Sequence, residues 1–172
     1  HAARNGDAPE PCASLEGVAP DGCHAVGNED APKPSAHSLF AGCSGLKVIT
    51  LPASVSYVGS SSFSGCTSLE GIVLQEGLTA IKDSLFEGCA GVRSIIIPNT
   101  VTRIGNYAFK DCADLESITI PGSVTTIGLM PFSGCTSLES VTLQYGLTTI
   151  SDSFLAGCTG LKSISIPNSI TA

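Results

Sequence analysis

Between residues 115 and 128 the chain reads LESITIPGSVTTIG: apolar Leu115, Ile118 and Ile120 are separated by polar residues, Pro121 halts the alternation, and Val124 and Ile127 resume it. Nearly the same phrase stands upstream as VRSIIIPNTVTRIG and downstream as LKSISIPNSIT. The interval is constant. Cys43, Cys66, Cys89, Cys112, Cys135 and Cys158 follow one another at 23-residue steps, and Phe40, Phe63, Phe86, Phe109 and Phe132 keep the same step three positions earlier, with Leu155 in the sixth place. Leu46, Leu69, Val92, Leu115, Leu138 and Leu161 keep it three positions later.

A period between 20 and 50 residues predicts a solenoid, because one such unit cannot bury its apolar face alone and must stack on its neighbours. Within each coil the L-x-x-I-x-I-P run predicts a strand whose alternate aliphatic residues point inward, ended by a proline that has no N–H for pairing. A two-residue turn such as Asn99-Thr100 leads into V-T-x-I-G, a second short extended run, and Gly105 and Gly128 are expected to permit a bend other residues resist. Phe-x-x-Cys closes the coil as a short helical or turn-like segment. The six cysteines and five phenylalanines then form a core spine, with the thiols buried as small hydrophobes rather than bridged, since in-register side chains sit farther apart than a disulfide prefers. A longer repeat overlies the short one: residues 63–85 and 132–154 agree at 16 of 23 positions, and both place Gln (Gln75, Gln144) where other coils have Pro.

The phrase F-x-x-C-x-x-L-x-x-I-x-I-P-x-x-V-x-x-I-G-x-x-A-F resembles the BspA-like leucine-rich repeat family, and residues 40–172 follow it in six successive copies without an insertion. The resemblance implies a right-handed leucine-rich-repeat solenoid of about six coils with a parallel sheet on its concave face. It also implies a surface or secreted protein associated with adhesion and recognition of other proteins. On this reading residues 39–172 are the solenoid, its last coil incomplete, and residues 1–38 an irregular segment.

Composition narrows the function. The formal net charge is −7 with eight scattered Lys and Arg, which argues against nucleic acid. No apolar run approaches the length of a membrane span. All three His fall within the first 37 residues, no nucleophile elbow or phosphate loop is visible, and no enzyme or cofactor is expected. Residues 1–38 carry five of the ten prolines, and Leu15, Val18, Ala25 and Val26 are expected to cap the first coil. Cys12 and Cys23 flank a Pro-Asp-Gly turn and are a candidate disulfide; with His24 and His37 they make a nominal ligand set, but the spacing fits no standard zinc module, so no metal is expected. The chain stops at PNSITA without a polar closing unit, which leaves further repeats, or packing into a larger assembly, as expectations for that end.

The outward positions remain for function. If Ile118 and Ile120 point inward, the columns Val48, Gly71, Ser94, Ser117, Ser140, Ser163 and Thr50, Val73, Ile96, Thr119, Thr142, Ser165 point out. This face is hydroxyl-rich and uncharged, with an apolar spot at Val73 and Ile96. Lys47, Glu70, Arg93, Glu116, Glu139 and Lys162 run beside it and alternate in sign through the first four coils. A protein or glycan ligand is expected on it, at Thr50, Val73, Ile96, Ser117, Thr119, Ser140, Thr142, Ser163 and Ser165, with an extracellular, surface or lumenal location. A further column, Ser56, Thr79, Thr102, Thr125, Thr148 and Thr171, admits ice binding as a remote alternative.

Overall fold

The structure, a computed structural model, describes residues 38–171. The expected N-terminal cap, the Cys12–Cys23 pair and the three histidines lie outside the described residues. Eight short strands follow in chain order: β1 (Val48–Leu51), β2 (Gly71–Leu74), β3 (Ala80–Ile81), β4 (Arg103–Ile104), β5 (Ser117–Ile120), β6 (Thr126–Ile127), β7 (Ser140–Leu143) and β8 (Ser163–Ser165). We number coils one to six by their cysteines, from Cys43 to Cys158.

Every strand pair is parallel and in register at one coil step, as in Val48↔Gly71, Ile104↔Ile127 and Ile118↔Val141. The L-x-x-I-x-I runs form the pairs β1-β2 and β5-β7-β8, and the V-T-x-I-G runs form the narrower sheet β3-β4-β6. This is a parallel β-solenoid. Where a proline follows the first strand it opens a tight turn: Val101 N–H bonds the Pro98 carbonyl at 3.1 Å, and Val124 N–H the Pro121 carbonyl at 3.0 Å. The Phe-x-x-Cys segments are turns, and the described residues contain no helix. Each closes on itself, as where Cys66 N–H meets the Phe63 carbonyl at 3.2 Å, and each is tied onward, as where Phe86 N–H meets the Ala108 carbonyl at 2.9 Å.

The core is a set of stacked columns. Phe63, Phe86, Phe109 and Phe132 are fully buried, and the rings from Phe40 to Phe132 stack with centroids 5.4–5.7 Å apart, near parallel. In coil six the ring comes from Phe154 rather than the neighbouring Leu155: Phe154 is buried edge-on against Phe132 at 84°, and Leu155 is half-buried. An aromatic one residue early keeps the stacking partner by turning its plane. Gly105 and Gly128 serve close approach and not a left-handed backbone: a Cβ on Gly105 would lie 2.5 Å from Asp83 N, and one on Gly128 2.5 Å from Asn106 N. The left-handed position at this corner falls two residues later, on Ser61, Ser84, Tyr107, Met130 and Ser153, at φ between 48° and 59°.

Two stability predictions follow from this packing. Ile118 is 3% exposed, so Ile118→Ala should cost about 2–5 kcal/mol in a thermal or denaturant melt; an unchanged melt would mean the inward register is wrong. Gly105→Ala should also destabilise although its φ is ordinary, because backbone of the preceding coil occupies the space of the new methyl group.

Candidate recognition surface

Alternation along the strands fixes which side chains leave the core. In β1 and β5 the burial runs exposed, buried, exposed, buried, and in β2 and β7 only the first residue is half-buried instead. Thr50, Val73, Ile96, Ser117, Thr119, Ser140, Thr142, Ser163 and Ser165 therefore share one side, Ser140 half-buried and the rest exposed. Three large aliphatic residues stand among them at the N-terminal end of the stack: Val48 at 57% exposed, Val73 at 48% and Ile96 at 82%.

The sheet is interrupted where Ile96 stands. Coil three contributes only single bridges, Ile72↔Ile95 and Ser94↔Ser117, between β2 and β5. Pro98 ends its run, and Ile96 takes the outward position that Thr50 and Thr119 hold in coils one and four, with Ile95 and Ile97 buried on either side. Beside it lies an open depression of about 530 Å³, lined by residues including Ser94, Asn99, Ser117, Thr119, Pro121 and Gln144. None of its lining residues carries a charge. Sequence reasoning overlooked Asn99, Pro121 and Gln144; the substitution of Gln for Pro was the available signal. Gln144 Oε1 accepts from Gly122 N–H at 3.2 Å, and Gln75 Oε1 from Ala53 N–H at 3.2 Å, so each Gln clamps its coil to the preceding one.

The charged row lies at the strand N-termini. Backbone bonds stack it directly, Glu70 N–H to the Lys47 carbonyl at 2.8 Å and Glu116 N–H to the Arg93 carbonyl at 3.0 Å. Lys47, Glu70 and Arg93 border a second open depression with Thr67, Ser68, Gly91 and Asp114. At the far end Lys162 Nζ meets Glu139 Oε1 at 2.6 Å.

The thiol column lies on the opposite, buried side. Cys43 is buried and disulfide-bonded, which corrects the expectation of a thiol there; Cys66, Cys89, Cys112, Cys135 and Cys158 are free. Each free thiol donates to the carbonyl of a Phe 26 residues earlier, at 3.1–3.2 Å. Burial pushes the Cys89 thiol up to about 12 and raises Cys66 and Cys112 as well. Half-buried Cys158 shifts the other way, lowered chiefly by the neighbouring Cys135 thiol, which is raised in turn. Among the described residues no group of His, Cys, Asp and Glu converges to hold a metal ion, and no helix is long and apolar enough to cross a membrane. In the Thr column, Thr102 and Thr125 turn their hydroxyls onto carbonyls of the coil before, which withdraws them from a regular outward lattice.

A stack of 23-residue coils with a parallel strand row and a Phe-x-x-Cys turn defines a leucine-rich-repeat solenoid. Residues 35–133 and 79–172 match the family described as BspA type leucine rich repeat region, in 6 copies, and the chain belongs to that family. Among solved structures it is similar to the leucine rich repeat protein TpLRR of T. pallidum, with 34% identity and a TM-score of 0.70 over 76% of this chain and 61% of that one. It is also similar to a leucine-rich repeat protein of Bacteroides ovatus, with 31% identity and a TM-score of 0.61 over 78% of this chain and 41% of that one. The chain thus spans about three fifths of the first and two fifths of the second. No curated protein is similar enough in sequence to be recognised as a relative. The family's members are typically surface protein-interaction modules, and the repeat is a non-enzymatic one.

The thiol column yields a pH prediction. Unfolded thiols lose protons near 9, whereas folded Cys89 holds its proton to about 12. The folded state binds more protons between those values, so stability is full below about pH 9 and falls as pH rises toward 12, read as a declining Tm. Alkylation of the native protein at neutral pH should reach Cys158 first among the five free thiols, and the others only after denaturation, as mapped by mass spectrometry.

Proposed function

We propose that the chain is a non-enzymatic interaction module that binds a protein partner through the exposed strand face centred on Ile96, at a cell surface or in an extracellular or lumenal space. The observation that carries this reading is the exposure of Ile96, 82%, on an otherwise hydroxyl-rich and uncharged face at the point where the sheet is interrupted. An aliphatic anchor within a ring of neutral polar groups is the chemistry of a protein-binding hot spot, in which the anchor gains by desolvation and the surrounding hydroxyls and amides keep water out. Val48 and Val73 extend the apolar area toward coil one, and Asn99 and Gln144 supply hydrogen-bonding amides at the other side. A glycan would use the amides and hydroxyls but gain little from three aliphatic side chains, which favours protein.

The test is affinity capture from a surface extract with the whole chain as bait, beside Ile96→Asp and Thr119→Glu/Thr142→Glu variants. A partner held by the native chain and lost by about tenfold or more from both variants supports the reading. Equal capture by all three moves recognition off the strand face.

A further inference from the structure

The charged row and the apolar spot are arranged so that this face complements itself. Through coils one to four the row reads Lys47, Glu70, Arg93, Glu116, and each is exposed. Among the described residues none of the four enters an ion pair, whereas Glu139 and Lys162 of coils five and six are already paired with each other at 2.6 Å. A twofold axis parallel to the strands, between coils two and three, reverses the coil order of a second copy while keeping strand positions aligned. It sets Lys47 opposite Glu116 and Glu70 opposite Arg93, each contact made twice. The same operation sets Val73 opposite Ile96, and it sets the side-chain-free Gly71 opposite Ser94.

Three neighbouring registers bring like charges together. An axis through coil two opposes Lys47 with Arg93 and Glu70 with its own copy; one through coil three opposes Glu70 with Glu116 and Arg93 with its own copy. One between coils three and four opposes Lys47 with Lys162 and Glu70 with Glu139. We infer that the strand face of coils one to four pairs with the same face of a second copy, by the twofold that joins Glu70 to Arg93 and Val73 to Ile96.

The row covers three coil steps, about 14 Å, so the contact is small and the pair is expected to be weak and sensitive to salt. The inference rests on the reading of this face as a recognition surface, and adds that a further copy is among the things it recognises. Such an isologous contact would hold the site in reserve, freed on dilution or by a stronger partner.

Sedimentation of the whole chain over a concentration series tests it. At low ionic strength a concentration-dependent dimer is expected, weakened by added salt. Glu70→Arg alone should weaken it by about tenfold or more, since each substitution acts twice across the axis. Glu70→Arg/Arg93→Glu should restore it, because the row then reads positive, positive, negative, negative, which the same twofold still neutralises. Circular dichroism confirms that each variant folds. A monomer at every concentration, a dimer indifferent to Glu70→Arg, or a double variant that stays monomeric overturns the proposal. Thr142→Glu separates the two readings: it lies in coil five, outside the paired segment, so it should spare the dimer. Loss of a captured partner from Thr142→Glu with the dimer intact supports both readings. A monomer that still captures a partner through Ile96 sinks self-pairing alone.

Discussion

The backbone hydrogen bonds between coils set the rest of this structure, because they run in both directions at once. On the strand side the later coil donates to the earlier, as from Glu70 N–H to Lys47; on the turn side the earlier donates to the later, as from Phe86 N–H to Ala108. A coil held from both sides cannot slide by a residue. Sliding would also turn the buried Ile118 and Ile120 outward and the hydroxyls of Ser117 and Thr119 into the core. Register is therefore fixed twice, and identical residues are delivered into columns where a stacked ring or a thiol bonded to a carbonyl can be reused coil after coil.

Columns have a consequence for chemistry. The polar atoms that could react are consumed by the stacking itself: thiols donate to Phe carbonyls, two Thr hydroxyls return to the coil before, and Gln75 and Gln144 hold backbone amides. What the strand face leaves unpartnered is outward, shallow and neutral, with the charged row along one of its borders. That distribution suits an extended contact more than a reaction, which needs groups converging in an enclosed volume.

Much of this was legible from the spacing of residues. The 23-residue step, the inward alternation and the Phe and Cys columns are properties of one coil repeated, and a repeated unit speaks for its copies. The features that escaped are those in which a coil departs from its neighbours. Phe154 replaces Leu155 in the ring stack because a turned aromatic plane reaches the same partner, which a fixed-period reading does not anticipate. Gly105 was read as a matter of dihedral freedom, yet the crowding comes from Asp83 in the preceding coil, a residue 22 positions away. The gap in the sheet at coil three has no counterpart in the spacing: Ile95 and Ile97 turn inward around Ile96 as the other coils do, yet only single bridges form there. The outward columns could be drawn in advance; the depression could not, because Asn99 of coil three and Gln144 of coil five come to line one hollow only once the coils are stacked.

The constant step also bears on how the molecule comes to be folded. Nearly every tertiary contact joins residues about one coil apart, so the chain loop closed on forming each contact is of the same modest length wherever folding begins. Any adjacent pair of coils can serve as a start, with later coils adding one at a time against a template that already presents its hydrogen bonds. Relative contact order then falls as coils are added, instead of rising with size. An array of this kind can grow longer in evolution, gaining new outward positions with each coil, without its folding becoming a search over longer distances.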